Sequence, residues 1–232
     1  MLKILAIVPC YNEEESIIAT IENLKAKTPY VDFIIVNDGS RDRTCKICLD
    51  KKYPVVDISF NLGLANAVQA GMRYAYINGY DMTLQFDGDG QHLPEYIPEM
   101  VRMMLETSAD IIVGSRYMKK TSQKLRGLGS GLLRGAITIA TGKKLTDPTS
   151  GLRLYNRKMI DRFANQMNYG PEPDTLAYLM NQGVSVMEIP VTMQERKAGK
   201  SYFGTLSAIN YMLRMFVSII IIQWFRAKEL SN

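Results

Sequence analysis

Residues 82–92 have the sequence MTLQFDGDGQH, in which a short apolar run leads into two aspartates separated by one glycine. Three earlier parts of the chain repeat this arrangement of an apolar run followed by Asn, Asp or Gly, and helix-like segments lie between the runs. Strands that alternate with helices at this spacing predict βαβ units and a mostly parallel sheet with helices on both faces, an α/β fold. The predicted strands are Ile4–Val8, Phe33–Asn37, Val55–Ile58, Met82–Phe86, Ile111–Val113 and Val184–Val191, and the predicted helices cover 14–25, 43–50, 65–77 and 95–105.

A set of polar residues follows the first four predicted strands. These segments are PCYNE at 9–13, DGS at 38–40, NLG at 61–63 and DGDGQ at 87–91. Turn chemistry explains each of them on its own, because Asn, Asp and Gly favour turns. Ligands of parallel sheets bind beyond the carboxyl ends of the strands, however, so four such segments at one edge predict a ligand site. The sequence has no GxGxxG after the first strand and no GxxxxGKS or GxxxxGKT, which disfavours a dinucleotide fold and a P-loop.

Asp87 and Asp89 are the most informative pair in the sequence. Two carboxylates this close at the end of a buried strand repel each other unless a cation lies between or beside them. A hard divalent ion that binds one or two carboxylates together with substrate phosphates removes this repulsion. Gln91 adds a carbonyl oxygen two residues after Asp89. The alternative is a solvated Asp-Gly turn without a ligand.

The 232 residues, 47% hydrophobic and 22% charged, are enough for one domain with a substantial core. The formal net charge of +5 is unevenly distributed, since residues 1–115 carry 10 basic and 16 acidic side chains and residues 116–232 carry 18 and 7. Because the two halves of the chain have net charges of opposite sign, we expect each of them to contribute one part of a single site. Nucleic acid is a disfavoured partner, because no interleaved aromatic and basic surface and no recognised binding motif accompany the charge.

Cysteine and histidine are too scarce for a disulfide scaffold or a multi-histidine metal site. The odd count of three cysteines fits a reducing compartment, and His92 is the one histidine of the chain. Cys45 and Cys48 form a CxxC pair without a second pair, so we predict two buried small residues on a helix. The opening run Leu2–Val8 is short and leads to Asn12 and three glutamates instead of a cleavage site, which predicts a first strand and no secretory signal.

The segment Ile209–Phe225 is strongly apolar. Its charge-free part between Arg214 and Arg226 has eleven residues, fewer than the ~20 that a membrane-spanning helix requires. Apolar side chains cover nearly every side of the predicted helix, which is more than packing on one domain needs. Trp224 followed by Arg226 and Lys228 is typical of an interfacial anchor, so peripheral contact with a membrane is favoured. A homo-oligomer interface, a buried core helix and a docking site for a small membrane subunit are the alternatives.

The combined motifs resemble those of family 2 glycosyltransferases with the GT-A fold. Residues 9–13, 36–40, 61–65 and 85–92 carry the resemblance in the first half of the chain. GSRY at 114–117, DPTSG at 147–151 and RxxGxS at 196–201 are similar to the polyprenyl-phosphate branch, which includes dolichyl-phosphate mannosyltransferases. The resemblance covers residues 4 to about 204. It implies a GT-A domain at 1–204, with a nucleotide-sugar and metal half at 1–115 and an acceptor half at 116–204, followed by an apolar helix at 205–232.

The resemblance also implies roles for individual residues. The positions that hold a nucleotide sugar are matched by Pro9, Tyr11, Glu13, Asp38, Asn61, Gly63 and Asp87, and the metal and diphosphate positions by Asp87, Asp89 and Gln91. The positions that bind the acceptor phosphate are matched by Arg116, Arg196 and Ser201. A further arginine expected near Ser130 and Gly131 is missing there, and Arg126 or Arg134, about one helical turn to either side, is expected to replace it. The implied catalytic residues are Asp89, Asp147, Arg116 and Arg196, and the implied cofactor is Mg²⁺ or Mn²⁺.

The implied reaction moves a sugar from a nucleoside diphosphate sugar to a polyprenyl phosphate, with inversion, at the cytoplasmic face of the cell membrane. UDP-glucose or UDP-N-acetylglucosamine is favoured over GDP-mannose, because residues 85–92 resemble those of bacterial UDP-sugar enzymes.

The nature of the acceptor decides whether a general base is needed. A lipid phosphate is already anionic near neutral pH and needs none, whereas a saccharide hydroxyl benefits from deprotonation. For a saccharide acceptor the possible bases are Asp147, Glu172 and Asp174; for a phosphate acceptor Asp147 caps a turn and positions the acceptor loop. A transferase that elongates a saccharide and a non-catalytic nucleotide-sugar-binding module of a membrane complex are the alternative functions.

Overall fold

The computed structural model describes residues 2–118, 127–166, 170–195 and 205–222. The first half of the chain alternates regularly between strands and helices. The strands are β1 (Ile4–Cys10), β2 (Asp32–Asp38), β3 (Val55–Ile58), β4 (Met82–Gln85), β5 (Ile111–Ser115), β6 (Arg153–Asn156) and β7 (Val186–Pro190). The helices are α1 (Ile17–Lys27), α2 (Thr44–Asp50), α3 (Leu64–Ile77), α4 (Ile97–Thr107), α5 (Gly127–Thr141), α6 (Arg157–Asn165), α7 (Pro173–Asn181) and α8 (Thr205–Val217), with a 3₁₀ turn at Pro94–Tyr96 and a π-helical turn at Ser218–Ile222.

These strands form one sheet in the order β3-β2-β1-β4-β6-β5-β7. Strand β6 runs antiparallel to β4 and β5, and the other neighbouring pairs are parallel. The predicted α/β fold with a mostly parallel sheet is therefore confirmed. Sequence analysis did not predict β6, because this strand has four residues and its buried Arg153 interrupts the apolar run on which strand prediction depends.

The sheet is buried on both faces, as βαβ units require. Every residue of β1 is buried, and its side chains alternate between the two faces. Leu5 and Ile7 belong to the core cluster that includes α3 and α6, whereas the alternate residues Ile4, Ala6 and Val8 belong to the cluster that includes α1 and α4. Gly71 of α3 lies against Ile7, where a Cβ would be 2.3 Å from Ile7 Cγ2, so α3 packs closely on the strand. Each fully buried Leu or Ile contributes about 1.5–3 kcal/mol, which makes the sheet a rigid platform for its loops.

Helix α8 and the π-helical turn extend the α3 side of the core. Met215 and Ile219 are buried in the same cluster as residues of α5 and α7, whereas Leu213, Val217 and Ile221 are exposed. The exposed residues are four positions apart and therefore line one side of the segment. No helix in the described part of the chain is long and apolar enough to cross a membrane. The predicted interfacial anchor lies outside the described residues.

The three cysteines are free thiols. Cys48 is buried on α2 as predicted, but Cys45 is only partly buried, and its thiol lies beside Asp57 of the edge strand β3. Burial raises the pKa of Cys48 to about 11. Cys10 is buried at the end of β1, and burial raises the pKa of its thiol as well.

Candidate functional site

Hydrogen bonds join the loops that follow β1 and β2. The backbone N–H of Asn12 donates to Ser40 Oγ at 3.0 Å, and Asn12 Oδ1 accepts from the N–H of Arg41 at 2.8 Å. The N–H of Glu13 donates to Thr44 Oγ1 at 2.8 Å. Because β1 and β2 are parallel neighbours, their carboxyl ends meet at one edge of the sheet. The structure thereby brings together four of the residues predicted to bind a nucleotide sugar: Pro9, Tyr11, Glu13 and Asp38.

Asp38 ends β2 and fastens the loop that follows β3. Its Oδ1 accepts a hydrogen bond from the N–H of Leu62 and its Oδ2 accepts one from the N–H of Gly63, both at 2.8 Å. Such bonds to an ionised carboxylate are stronger than neutral ones. Gly39 allows the close approach, because its φ is +65° and a Cβ there would lie 2.5 Å from the nitrogen of Asn61. Asp38 therefore shapes the loop that carries Asn61 and Gly63, and its contact with a base or ribose stays a prediction.

The DGDGQ loop after β4 is fixed to β1 and α1 through its backbone. The N–H of Gly88 donates to the carbonyl oxygen of Pro9 at 3.2 Å. The carbonyl oxygen of Gly88 lies 3.0 Å from Ser16 Oγ and 3.2 Å from Thr20 Oγ1. The loop is therefore held against the β1 end, where the predicted nucleotide-binding residues lie.

Asp87 and Asp89 present their carboxylates from this loop. Asp87 Oδ1 accepts from Gln85 Nε2 at 3.2 Å, and the Asp87 side chain is 30% exposed. Asp89 Oδ1 accepts from the N–H of Gln91 at 3.0 Å. Gly151 leaves room for Asp87, since a Cβ at residue 151 would lie 2.7 Å from Asp87 Oδ2. The three residues predicted to hold the metal thus lie on one loop, and none of them is fully buried.

The side chains of this loop suit a hard divalent cation, because they offer two carboxylates and one amide carbonyl as oxygen donors. Within the described ranges, no group of three or more His, Cys, Asp or Glu side chains could hold a metal ion by itself. Next to Asp87, the Oε1 atom of Gln85 is buried and has no hydrogen-bond partner among the residues that the structure describes. The residues therefore fit an ion that is held by one or two carboxylates and takes its other ligands from phosphate and water, as Mg²⁺ commonly does.

Arg116 and Asp147 form a two-point ion pair after β5. Arg116 Nε donates to Asp147 Oδ2 at 2.6 Å, Nη2 donates to Oδ1 at 2.8 Å, and the backbone N–H donates to Oδ2 at 3.0 Å. Arg116 Nη2 also donates to Thr149 Oγ1 at 2.8 Å. Asp147 is completely buried, and the N–H groups of Thr146 and Asp147 donate to the carboxylate of Glu188 at 2.7 and 2.8 Å. The pair is therefore fixed from β5 on one side and β7 on the other.

This ion pair determines what Asp147 can do. Burial alone would lower the pKa of Arg116, but the hydrogen bonds and charge of Asp147 outweigh that effect and raise it. Both oxygens of Asp147 accept hydrogen bonds from a permanent cation, so the residue is poorly placed to remove a proton from a substrate. Asp147 thus holds a guanidinium whose side chain is 34% exposed, and its role in positioning the acceptor loop stays a prediction.

Tyr117 contacts two guanidinium groups. The Cζ atoms of Arg116 and Arg134 lie 5.4 and 5.7 Å from the centre of its ring, within the range of cation–π attraction. Of the two arginines that the sequence offered for the further phosphate contact, Arg134 of α5 therefore shares the Tyr117 ring with Arg116. The other residues predicted to bind the acceptor phosphate, Arg126, Arg196 and Ser201, lie outside the described residues.

Arg153 of β6 links two loops from the interior of the protein, where it is 2% exposed. Its Nε, Nη1 and Nη2 atoms donate to the carbonyl oxygens of Ser150 at 2.8 Å, Pro171 at 2.5 Å and Pro148 at 2.8 Å. One buried cation thus connects the DPTSG turn, which carries Gly151, to the segment before α7. Backbone carbonyls satisfy its donors, as burial of a charge requires.

Glu172 and Asp174 lie at the start of α7. Burial and the nearby charge of Asp174 raise the pKa of Glu172, although neighbouring arginines oppose the shift. Asp174 Oδ2 accepts a hydrogen bond from Ser218 Oγ at 2.7 Å, which ties α7 to the π-helical turn. Of the three possible bases, Asp147 and Asp174 are engaged by other side chains, whereas Glu172 has the raised pKa that suits a general base.

Sequence analysis did not identify five residues that shape this site: Gln85, His92, Gly151, Arg153 and Glu188. Gln85 has a local signal, because a polar residue inside a buried strand requires a polar partner. Gly151, Arg153 and Glu188 shape the site through residues far away in the sequence, and no local pattern marks such contacts. His92 contacts Asp87, five residues before it, but no sequence pattern shows that its ring turns back onto that residue.

The chain matches the model for Glycosyl transferase family 2 over residues 5–163. It is 31% identical over 216 residues to an undecaprenyl-phosphate mannosyltransferase of Micrococcus luteus, covering 86% of this chain and 87% of the relative. It is 27% identical over 226 residues to a polyprenol monophosphomannose synthase of Mycolicibacterium smegmatis, covering 91% and 84%. It is also 27% identical over 209 residues to a UDP-N-acetylglucosamine–dolichyl-phosphate N-acetylglucosaminyltransferase of Methanococcus voltae, covering 80% and 83%.

A solved structure resembles the whole fold. Glucosyl-3-phosphoglycerate synthase of Mycobacterium tuberculosis, in complex with Mn²⁺, UDP-glucose and phosphoglyceric acid, has a TM-score of 0.69 to this chain. The match covers 96% of this chain and 79% of the other, with 16% sequence identity. At this identity the likeness shows the fold alone, and it confirms the GT-A architecture.

Proposed function

The chain belongs to glycosyl transferase family 2, and from this premise we propose that it transfers a sugar from a nucleoside diphosphate sugar to a polyprenyl phosphate, with inversion. The names of three relatives support the acceptor, since undecaprenyl, polyprenol and dolichyl phosphates are all polyprenyl phosphates. The sugars in these names differ, and they include mannose and N-acetylglucosamine. Our first choice of donor is UDP-glucose or UDP-N-acetylglucosamine, and our second is GDP-mannose. The proposed role is in cell-envelope glycan synthesis or modification.

One observation carries the choice of a phosphate acceptor, namely the ion pair of Arg116 and Asp147. An acceptor phosphate already has a negative charge, so it needs cations near it and no base. A site without a free base at Asp147 fits such an acceptor, because this carboxylate, which could have served as a base, is bound to Arg116. Arg116 and Arg134 bring two positive charges to the same aromatic ring. Because Asp147 balances the charge of Arg116, the repulsion between the acceptor phosphate and the diphosphate of the donor would be offset by the net charge of Arg134 and by hydrogen bonds from the exposed part of Arg116.

On the donor side, Asp87, Asp89 and Gln91 would hold a divalent cation, Mg²⁺ or Mn²⁺, which would stabilise the negative charge of the departing nucleoside diphosphate. Asp38 keeps the 61–63 loop in place beside the nucleotide. The Pro9 carbonyl and the Gly88 N–H hold the DGDGQ loop against β1. In the transfer, an oxygen of the acceptor phosphate forms a bond to the anomeric carbon as the bond from that carbon to the diphosphate breaks.

The proposed location is the cytoplasmic face of the cell membrane, with peripheral attachment. The exposed Leu213, Val217 and Ile221 would enter the lipid surface from the side of α8 that does not pack on the core. Sedimentation with polyprenyl-phosphate vesicles tests this location, and Val217→Asp should reduce the bound fraction. The alternative is that Leu213, Val217 and Ile221 form a subunit interface. In that case the protein elutes as an oligomer in size-exclusion chromatography, and Val217→Asp makes it monomeric without changing vesicle binding.

The proposed reaction is tested by incubating the protein with Mg²⁺ or Mn²⁺, undecaprenyl phosphate and a radiolabelled sugar nucleotide: UDP-glucose, UDP-N-acetylglucosamine or GDP-mannose. We expect label in the organic phase with one of these donors. Asp89→Ala should abolish the transfer while the protein stays folded, and Glu99→Ala on the surface of α4 serves as the matched carboxylate control. If the Asp89→Ala variant forms organic-soluble labelled product at the wild-type rate, Asp89 is not needed for turnover.

A transferase that elongates a saccharide is the second candidate, and the raised pKa of Glu172 favours it. In that case label would appear in an added oligosaccharide and not in lipid, and Glu172→Gln would lower the turnover number strongly. Transfer to lipid that is unaffected by Glu172→Gln would exclude this candidate. If neither product forms but sugar nucleotide still binds, the chain is a binding module.

A further inference from the structure

His92 lies against both the main chain and the side chain of Asp87. It is the one histidine of the chain and is 4% exposed. Its Nδ1 accepts a hydrogen bond from the backbone N–H of Asp87 at 3.0 Å, and its Nε2 lies 3.6 Å from Asp87 Oδ2. Because Nδ1 accepts, it carries no proton, so the ring proton is on Nε2, 3.6 Å from the carboxylate oxygen Oδ2. One imidazole thus contacts both the main chain and the side chain of the residue predicted to bind the metal.

The surroundings keep His92 in this orientation. Phe86 packs edge-on against the imidazole, with the ring centres 5.5 Å apart and the planes at 69°. On the other side of the carboxylate, Gln85 Nε2 donates to Asp87 Oδ1 at 3.2 Å. Gly151 lies so close that a Cβ there would be 2.7 Å from Asp87 Oδ2. The Asp87 carboxylate therefore has a hydrogen-bond donor on Oδ1, with the imidazole and Gly151 close to Oδ2, which leaves it little freedom to rotate.

We propose that His92 is a positioning residue, which orients the Asp87 carboxylate for the divalent cation and the diphosphate of the donor. The proposal rests on the proposed function, in which Asp87 belongs to the donor site. A carboxylate that is already held in its binding orientation does not have to be ordered when the ion binds. Mutation of a residue that contacts a metal ligand commonly changes the affinity for the metal by about 10- to 100-fold. The distance of 3.6 Å between Nε2 and Oδ2 is longer than a hydrogen bond, so the Nε2–H group acts on the carboxylate mainly through its electrostatic attraction.

Three substitutions separate this role from simple packing. His92→Gln places an amide N–H near the position of Nε2 and loses the acceptor at Nδ1. His92→Asn keeps an acceptor near Nδ1 and loses the donor that faces the carboxylate. His92→Phe keeps a ring against Phe86 and loses both polar groups. Phe163→Leu is the matched control, because Phe163 is 1% exposed and packs edge-on against Tyr155 at the same centre distance of 5.5 Å.

The experiment measures Mn²⁺ binding by electron paramagnetic resonance in the presence of UDP, together with the thermal midpoint of each variant. We expect Mn²⁺ affinity to fall roughly 10- to 100-fold in His92→Phe and His92→Asn and to recover largely in His92→Gln. Phe163→Leu should lower the thermal midpoint and leave Mn²⁺ affinity unchanged. In ¹⁵N-labelled wild-type protein, the single imidazole should show the Nε2–H tautomer, which can be measured without any ligand.

The outcomes distinguish this inference from the proposed function. If the wild type binds Mn²⁺ and UDP but all three His92 variants bind equally well, His92 is a packing residue and the inference is wrong. An Nδ1–H tautomer would overturn it as well, because the ring could not then accept from Asp87. If the wild type itself binds neither Mn²⁺ nor UDP, the proposed donor site is wrong and the role of His92 fails with it.

Discussion

Replacement of Asp147 by asparagine removes the negative charge that holds Arg116. Asp147 is completely buried and receives three hydrogen bonds from Arg116, at 2.6, 2.8 and 3.0 Å. Loss of one partner of a buried ion pair costs about 3–5 kcal/mol, because the other charge is left uncompensated. Arg116 is 34% exposed at its side chain, so water can take over part of the solvation. Asparagine also keeps one acceptor oxygen, and we therefore expect a loss of about 2–3 kcal/mol in the free energy of unfolding.

This loss can be measured by thermal unfolding. For a chain of this length, ~1 kcal/mol corresponds to a shift of about 2–4 °C, so Tm should fall by about 4–12 °C. Glu99→Gln is the matched control, because it also neutralises a carboxylate paired with an arginine, at 2.6 Å, but on the surface of α4. Its Tm should not change measurably, since surface ion pairs contribute little.

The activity of Asp147→Asn distinguishes positioning from proton transfer. If Asp147 positions Arg116, the KM for polyprenyl phosphate should rise, because the guanidinium proposed to bind the acceptor phosphate is no longer held. The reasoning is refuted if Asp147→Asn keeps the wild-type Tm and the wild-type KM but loses turnover by more than about 10³-fold, a loss typical of a missing general base.

The structure supports three further predictions. Gly151→Ala should push the Asp87 carboxylate aside, lowering Mn²⁺ affinity roughly 10- to 100-fold with little change in Tm, and unchanged affinity would contradict the close contact. Glu172→Gln should raise Tm at neutral pH, because burial and Asp174 raise the pKa of Glu172 in the folded state. The ionised carboxylate therefore destabilises the folded state at pH values above its folded pKa. The difference in Tm between Glu172→Gln and the wild type should disappear as the pH falls below the usual range of carboxylate pKa values, which thermal unfolding at a series of pH values would show. Cys48 should react with a thiol reagent only on unfolding, because its pKa of about 11 leaves roughly one thiolate in a thousand at pH 8, and rapid labelling of native protein would argue against its burial.

The sequence predicted the first half of the fold well, because its signals there are local. β1 to β4 are short apolar runs that end in polar residues, and a parallel sheet brings such ends to one edge. The place of Asp38 and Asp87 at that edge could therefore be predicted without coordinates. The functional family was also readable, since the motifs around these residues form a specific combination.

The prediction was weaker where contacts join distant parts of the chain. Strand β6 lies between β4 and β5 in the sheet, yet it follows both in sequence and contains a buried arginine. Its short length and its charge hide it from any test of apolar periodicity. The sequence could propose Arg126 or Arg134 as a phosphate ligand but could not predict that Arg134 packs beside Tyr117, because this packing depends on how α5 meets the end of β5.

The sequence by itself determined which residue types stand at the ends of the strands, and so the class of ligand and the chemistry on offer. Only the tertiary structure decided what each of these side chains is bound to. Asp147 could be a base or a structural residue until Arg116, 31 positions away, was seen to occupy both of its oxygens. His92 was only a lone histidine until its ring was found against Asp87. The physical reason is that protonation, orientation and exposure of a side chain depend on its neighbours in space, and for a buried charge these neighbours come from other elements of the fold.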